Sequence, residues 1–117
     1  LGAGKEEIQK MQKTFENRRD LAYRLIQEIP GLHCHKPEGA FYLFPEAKSY
    51  YGKQYNGKKI TGSESLSEYL LEEHNVSVVP GSEFGNDNNF RISFATSEKE
   101  IEKGLERIKE GLEKLQD

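Results

Sequence analysis

The sequence is short of cysteine, of long apolar runs and of any excess of positive charge, and each shortage removes a class of function. A single cysteine, Cys34, forbids an intramolecular disulfide and points to a reducing compartment. No apolar run approaches the roughly 20 residues a membrane span needs, and the first residues, Leu1-Gly2-Ala3-Gly4, lack the charged and apolar regions of a signal peptide. A cytoplasmic protein without membrane contact is therefore expected. The 17 basic and 20 acidic residues are interspersed and sum to a formal charge of −3, so no basic field exists to condense on a phosphate backbone, and nucleic acid is not an expected partner. Internal repeats and low-complexity tracts are missing too.

What is present fits one domain. At 117 residues the chain is long enough to bury a core without metal or disulfide staples. Its hydrophobic share of 34% against 32% charged residues predicts a thin core and long solvated helix faces, as when one sheet carries helices on one side. From Lys5 onward, Ile8, Met11, Phe15, Ala22, Leu25 and Ile29 keep the three-four spacing of an amphipathic helix that runs to the stop signal Pro30-Gly31. A helix that opens so abruptly is expected of a piece of a longer chain, and its first turns of packing on something outside it.

Leu32–His35 and Ala40–Phe44 read as two strands of an antiparallel hairpin, joined by the turn-like Lys36-Pro37-Glu38-Gly39. Residues 46–62 hold glycine and tyrosine clusters without a period and predict a long loop. A helix then starts near Ser63 to Ser65, with Ser65 and Glu68 as a capping box, and runs to Asn75; Val76–Val79 is a β-branched strand stopped by Pro80-Gly81-Ser82. The stretch Phe90-Arg91-Ile92-Ser93-Phe94 alternates apolar and polar residues and predicts a strand with a greasy face and an arginine face. Ser97 with Glu100 caps a last helix whose stripe is Ile101, Leu105, Ile108, Leu112 and Leu115, with Gly104 and Gly111 beside it. The fold class is thus α/β (α+β), a two-layer sandwich: a small mixed or mostly antiparallel sheet of about four strands with a long N-terminal, a middle and a C-terminal helix.

Few residues offer chemistry. Cys34 lies between His33 and His35, but neighbours along a strand point to opposite faces, so neither imidazole is placed to activate the thiol. The two histidines share a face yet make only part of a zinc ligand set, and His74 is remote on a helix end. Pro80-Gly81-Ser82-Glu83-Phe84-Gly85 follows a strand but opens no helix, as a phosphate-binding fingerprint requires. Glu6-Glu7 and Glu72-Glu73 read as solvated helix faces. Arg91 stands apart, because a planar, permanently charged guanidinium on a rigid strand suits a carboxylate. On the residues alone, a solvent-exposed strand arginine without a ligand is the better reading, because most surface arginines have none.

Four segments in order, Arg18-Arg19-Asp20, Pro37-Glu38-Gly39-Ala40-Phe41-Tyr42, Val78-Val79-Pro80-Gly81-Ser82-Glu83-Phe84-Gly85 and Phe90-Arg91-Ile92-Ser93-Phe94-Ala95, resemble the C-terminal small domain of class I aminotransferases, the pyridoxal-phosphate enzymes of aspartate aminotransferase type. The resemblance spans essentially the whole chain. It implies that the parent transfers an amino group between an amino acid and a 2-oxo acid, that Arg91 binds the substrate α-carboxylate, and that Phe41, Gly81 and Ser82 lie towards the active-site mouth. It implies that no residue here is catalytic and none binds cofactor or metal, since the cofactor-bearing lysine and the pyridoxal phosphate ligands of this family belong to the large domain. Lys99, after Thr96-Ser97-Glu98, is simplest as a solvated helix residue. A homodimeric parent, a monomeric and inactive fragment, and no pyridoxal phosphate bound by the fragment are the corresponding expectations. The rival reading is a non-enzymatic module that binds a small ligand or a protein through the tyrosine-rich loop around Tyr50 to Tyr55.

Overall fold

The structure, a computed structural model, describes residues 4–37 and 39–117. The expectations for Leu1-Gly2-Ala3 and for Glu38 within the predicted turn lie outside these. Three helices and a small antiparallel sheet make the two layers predicted. Helix α1, Lys5–Gln27, forms as predicted, but of the expected stripe Ile8 and Met11 are exposed and Leu25 is half-buried, while Ala22 and the adjacent Ile26 are buried. It ends just before Pro30-Gly31, where Gly31 takes a φ of +84°.

The predicted hairpin between Leu32–His35 and Ala40–Phe44 does not form, because the second segment pairs with the later strand 90–93 instead. His33 makes a single bridge with Glu46 (His33 N–H to Glu46 O, 3.1 Å; Glu46 N–H to His33 O, 2.7 Å), and strand β1 is only Tyr42–Leu43. The predicted long loop is not structureless. Lys48–Tyr50 forms a 3-10 turn, and β2 (Gln54–Tyr55) pairs with β3 (Lys58–Lys59) across Asn56-Gly57. Both turn residues have positive φ, 49° and 80°, the pattern that matches the twist of a tight hairpin.

Helix α2, Ser63–His74, starts earlier than the Ser65–Glu68 box predicts. Ser65 instead stands three residues past the cap and accepts from Gly62 N–H at 3.2 Å and Thr61 N–H at 2.9 Å. A carboxylate from far along the chain completes the cap: Asp87 Oδ1 accepts from Ser63 N–H at 3.0 Å and from the Ser63 hydroxyl at 2.8 Å. Strand β4 is Val79–Pro80, shorter than the β-branched run, although Val76 and Val78 are buried. Strand β5, Phe90–Ser93, lies at the centre of the order β1-β5-β4, antiparallel to both neighbours. Tyr42 faces Ser93 and Leu43 faces Ile92 on one side; Val79 faces Arg91 on the other.

Helix α3, Glu98–Glu113, is capped by Ser97, whose hydroxyl accepts from Glu100 N–H at 3.2 Å. It packs against α1 and α2, and Ile101, Leu105, Ile108 and Leu112 join Phe90, Ile92 and Phe94 in one core. That core lies on the greasy face of β5, so the helices cover this face and Arg91 and Ser93 turn away from it. No helix among the described residues is long and apolar enough to cross a membrane.

Candidate functional site: a strand arginine between two aromatic rings

Arg91 sits in the middle of β5, half-buried, on the face without helices. Its guanidinium carbon lies over the Phe84 ring at 4.4 Å and over the Tyr42 ring at 4.9 Å. Tyr42 reaches it from β1, because its partner in the register, Ser93, is on the same face as Arg91. Phe84 reaches it from the turn between β4 and β5, and its ring also meets Phe44 edge-on at 6.3 Å. Two aromatic rings are thus spent on holding a cation at a water-exposed site, since Phe84 and Tyr42 are themselves 49% and 40% exposed. Among the described residues no carboxylate forms an ion pair with Arg91 and no acceptor takes a hydrogen bond from it. The N–H edge of this fork-shaped cation therefore has no acceptor among the described residues.

The turn that delivers Phe84 is rigid for a specific reason. Gly81–Phe84 forms one 3-10 turn, and Gly85 continues it with a φ of +79°. A side chain cannot replace the hydrogen at Gly81, where a Cβ would stand 2.1 Å from the carbonyl oxygen of Asn86 and 2.2 Å from that of Asn89. Gly81 N–H donates to Asn89 O at 2.8 Å, Asn86 N–H to Gly81 O at 2.9 Å and Gly85 N–H to Ser82 O at 3.2 Å. Ser82 N–H donates to the Ser63 hydroxyl oxygen at 3.1 Å, and that hydroxyl donates to Asp87. The two Ser63 hydrogen bonds hold the Asp87 carboxyl below its usual pKa. With these amides committed inside the turn, they do not form a cradle for a phosphate.

The other predicted residues fall in different places. Gly81 is buried and Ser82 half-buried in this turn, next to the residue that stacks on Arg91, with the Ser82 hydroxyl 3.4 Å from Glu64 Oε1. Phe41 is not brought to Arg91. It hydrogen-bonds through its carbonyl to Phe94 N–H at 2.9 Å and stacks edge-on against Phe15 of α1 at 4.9 Å, on the helix-bearing side. There it borders an open apolar groove of about 790 Å³ with Ile8, Met11, Phe15, Arg18 and Ala95. Arg19 pairs with Asp20 at 3.2 Å, and Lys36 reaches the same carboxylate at 3.1 Å, holding it below its usual pKa.

Cys34 gains no activating base. Its thiol lies 3.4 Å from the His35 carbonyl, and burial pushes its pKa up, away from a reactive thiolate. Among the described residues no group of three or more His, Cys, Asp or Glu could hold a metal ion. The loop tyrosines are turned to internal work. Tyr50 donates to Pro30 O, Tyr51 donates to Asp87 O at 2.6 Å, and Tyr55 packs on Tyr69 at 5.3 Å. Such phenols tie loops to the body rather than present a contact surface, which weighs against the binding-module reading. Lys99 is exposed in the first turn of α3.

Sequence reasoning missed Tyr42, Phe84 and Asp87. A signal existed for Phe84, a lone large apolar residue inside the polar run Gly81–Asn89. For Asp87 there was none, because its partner Ser63 is 24 residues away.

The sequence pattern of the family described as "Aminotransferase class I and II" matches residues 2–108. The chain is similar to the "Probable aspartate/prephenate aminotransferase" of Aquifex aeolicus, 43% identical over 111 residues, which are 95% of this chain and 27% of that protein. It is similar to the "Aspartate aminotransferase" of Bacillus subtilis, 44% identical over 112 residues, or 93% of this chain and 27% of that one. The crystal structure of the aspartate aminotransferase from Rhizobium meliloti superposes with a TM-score of 0.91 at 41% identity, covering 97% of this chain and 29% of its own. An aromatic aminotransferase from Pyrococcus horikoshii gives 0.77 at 35% identity, covering 92% and 27%. The chain spans little more than a quarter of the length of these relatives.

Proposed function

The chain belongs to the class I and II aminotransferases, and on that premise we propose that it is the C-terminal small domain of an enzyme that moves an amino group between an amino acid and a 2-oxo acid, with Arg91 holding the substrate α-carboxylate. The observation that carries this reading is the state of the Arg91 guanidinium, fixed by two aromatic rings with its donors uncommitted among the described residues. A structural arginine would be expected to spend its N–H groups on acidic or carbonyl neighbours, as Arg107 does on Asn75 O at 3.1 Å. Arg91 spends none, and it faces away from the helices, towards the side where a second domain would close over a substrate.

Pyridoxal phosphate is the family's cofactor and supplies the electron sink for the reaction. The residues of this chain do not fit its cradle, given the self-satisfied glycine turn, so its binding belongs to the remainder of the parent. What this chain contributes is placement: a carboxylate gripped at one end of the substrate sets where the amino end lies. The isolated chain is inactive on this account, and a titration with pyridoxal phosphate yields no stable, stoichiometric visible absorbance band. The parent acts as a homodimer, in line with the family, on amino-acid and 2-oxo-acid substrates.

Arg91→Lys in the full-length enzyme tests the assignment. Lysine keeps the charge and loses the fork, so kcat/KM for transamination falls by about one to two orders of magnitude, the equivalent of roughly 1.5–3 kcal/mol for a charged hydrogen bond. The thermal midpoint stays near that of the wild type. Wild-type efficiency in that variant removes Arg91 from the substrate site.

A further inference from the structure

A guanidinium on a long flexible stem does not by itself hold a plane, and the carboxylate fork needs one. The guanidinium carbon of Arg91 lies over the faces of the Phe84 and Tyr42 rings, 4.4 and 4.9 Å from their centroids, where an aromatic quadrupole attracts the cation. Among the described residues no acceptor takes a hydrogen bond from this guanidinium, so its N–H edge is where a carboxylate can approach. Neither ring brings an acceptor into that edge, so neither competes with the ligand as a carboxylate neighbour would. The Phe84 ring is in turn placed by a turn locked at Gly81 and tied through Ser82, Ser63 and Asp87 to the first turn of α2. Phe44 also meets this ring in an edge contact at 6.3 Å.

We propose that Phe84 and Tyr42 are positioning residues, which act through Arg91 by fixing the plane of its guanidinium for edge-on, two-pronged capture of the substrate carboxylate. The inference rests on the assignment of Arg91 above and deepens it. It predicts where specificity for a carboxylate comes from: the orientation of the cation as well as its charge.

The test is a double-mutant cycle in the full-length enzyme. Phe84→Leu keeps apolar bulk and removes the π face; Phe84→Tyr keeps the face. Phe84→Leu lowers kcat/KM for amino-acid and 2-oxo-acid substrates by about two- to thirty-fold, the span of a cation–π contact, while Phe84→Tyr stays within about two-fold of wild type. In the Arg91→Lys background, Phe84→Leu costs nothing further, because the residue it positioned has gone. Tyr42→Leu, on the other ring, provides the same cycle independently should Phe84→Leu fold poorly, and the thermal midpoint monitors folding throughout. Costs that simply add in both cycles, or a Phe84→Leu enzyme with wild-type kcat/KM, overturn the positioning role and leave the Arg91 assignment standing. An Arg91→Lys enzyme with wild-type kcat/KM overturns the assignment itself, and the positioning role with it.

Discussion

At Arg91, charge alone is too weak an explanation for binding. A solvent-exposed arginine–carboxylate pair is worth about 0–1 kcal/mol, whereas even millimolar affinity takes about 4 kcal/mol. In the proposed role the missing part comes from geometry fixed in advance and from water excluded by another domain, the first being the part proposed for the aromatic flanks of Arg91. The same use of aromatic residues as fixtures recurs at Tyr51 and Tyr69. Tyr69 donates to Gly111 O at 2.7 Å, so its oxygen accepts from His74 Nε2 at 3.1 Å. Burial first, and then acidic or phenolic neighbours, push both phenols up to about 12. Folded, they keep their protons beyond the value of 10.0 at which the unfolded chain ionises. Their contribution is therefore present in full below that pH and declines as the pH rises from 10 towards 12. Urea unfolding midpoints should fall across that alkaline window, and fall less steeply in Tyr51→Phe, which has no proton to lose. Equal slopes in the two proteins contradict the role given to Tyr51.

Among the elements, α3 allows opposite predictions for two glycines on one helix. A Cβ at Gly104 would meet nothing within 4 Å, while one at Gly111 would lie 2.8 Å from His74 Cδ2 and 3.0 Å from Leu70 Cδ2. Gly104→Ala is thus expected to stabilise the chain by about 0.4–1 kcal/mol. Gly111→Ala meets a ring held by Tyr69 and a fully buried leucine, and is expected to destabilise by about 1–3 kcal/mol. Denaturant unfolding of the two variants checks the signs, and equal shifts would refute this packing of α2 on α3. Where side-chain period or local capping decides an element, the sequence was largely sufficient: the stripe of α3, the Ser97 cap and the alternation of β5 appear as read, and α1 appears as a helix that buries Ile26 where the stripe named Leu25. It was insufficient where a distant residue decides. The start of α2 depends on Asp87 from another loop, and the trimming of the 76–79 run to a two-residue strand depends on what β5 can pair. The hairpin across Asn56-Gly57 was missed inside the predicted long loop: that dipeptide favours a hairpin turn, but the surrounding lysines and tyrosines carry no alternation that marks strands. Of the candidate site, strand alternation showed only that Arg91 faces away from the apolar side of β5; its selection as a site residue came from the family resemblance. Its flanks were not legible, since Tyr42 and Phe84 join it only through sheet register and a turn.

The molecule as a whole is elongated, 57 × 28 × 21 Å, because the first turns of α1 run past the body. Ile8 and Met11 on those turns are 49% and 68% exposed, and they line the groove that Phe41 borders. Two surfaces thus remain open on opposite sides of the sheet, the apolar groove on the helix-bearing side and the Arg91 face on the other. The proposed place of the chain as a domain of a larger enzyme accounts for both, the first as a surface that would meet more of the parent and the second as half of the proposed substrate site. The central claim is that Arg91 meets the α-carboxylate, and the most direct measurement compares an amino acid with the amine that differs from it only by loss of that carboxylate. In the full-length enzyme, the ratio of their kcat/KM values should be large in the wild type and shrink by about one to two orders of magnitude in Arg91→Lys, with the amine itself almost unaffected. An unchanged ratio, with amino acid and amine losing rate together, would contradict the account.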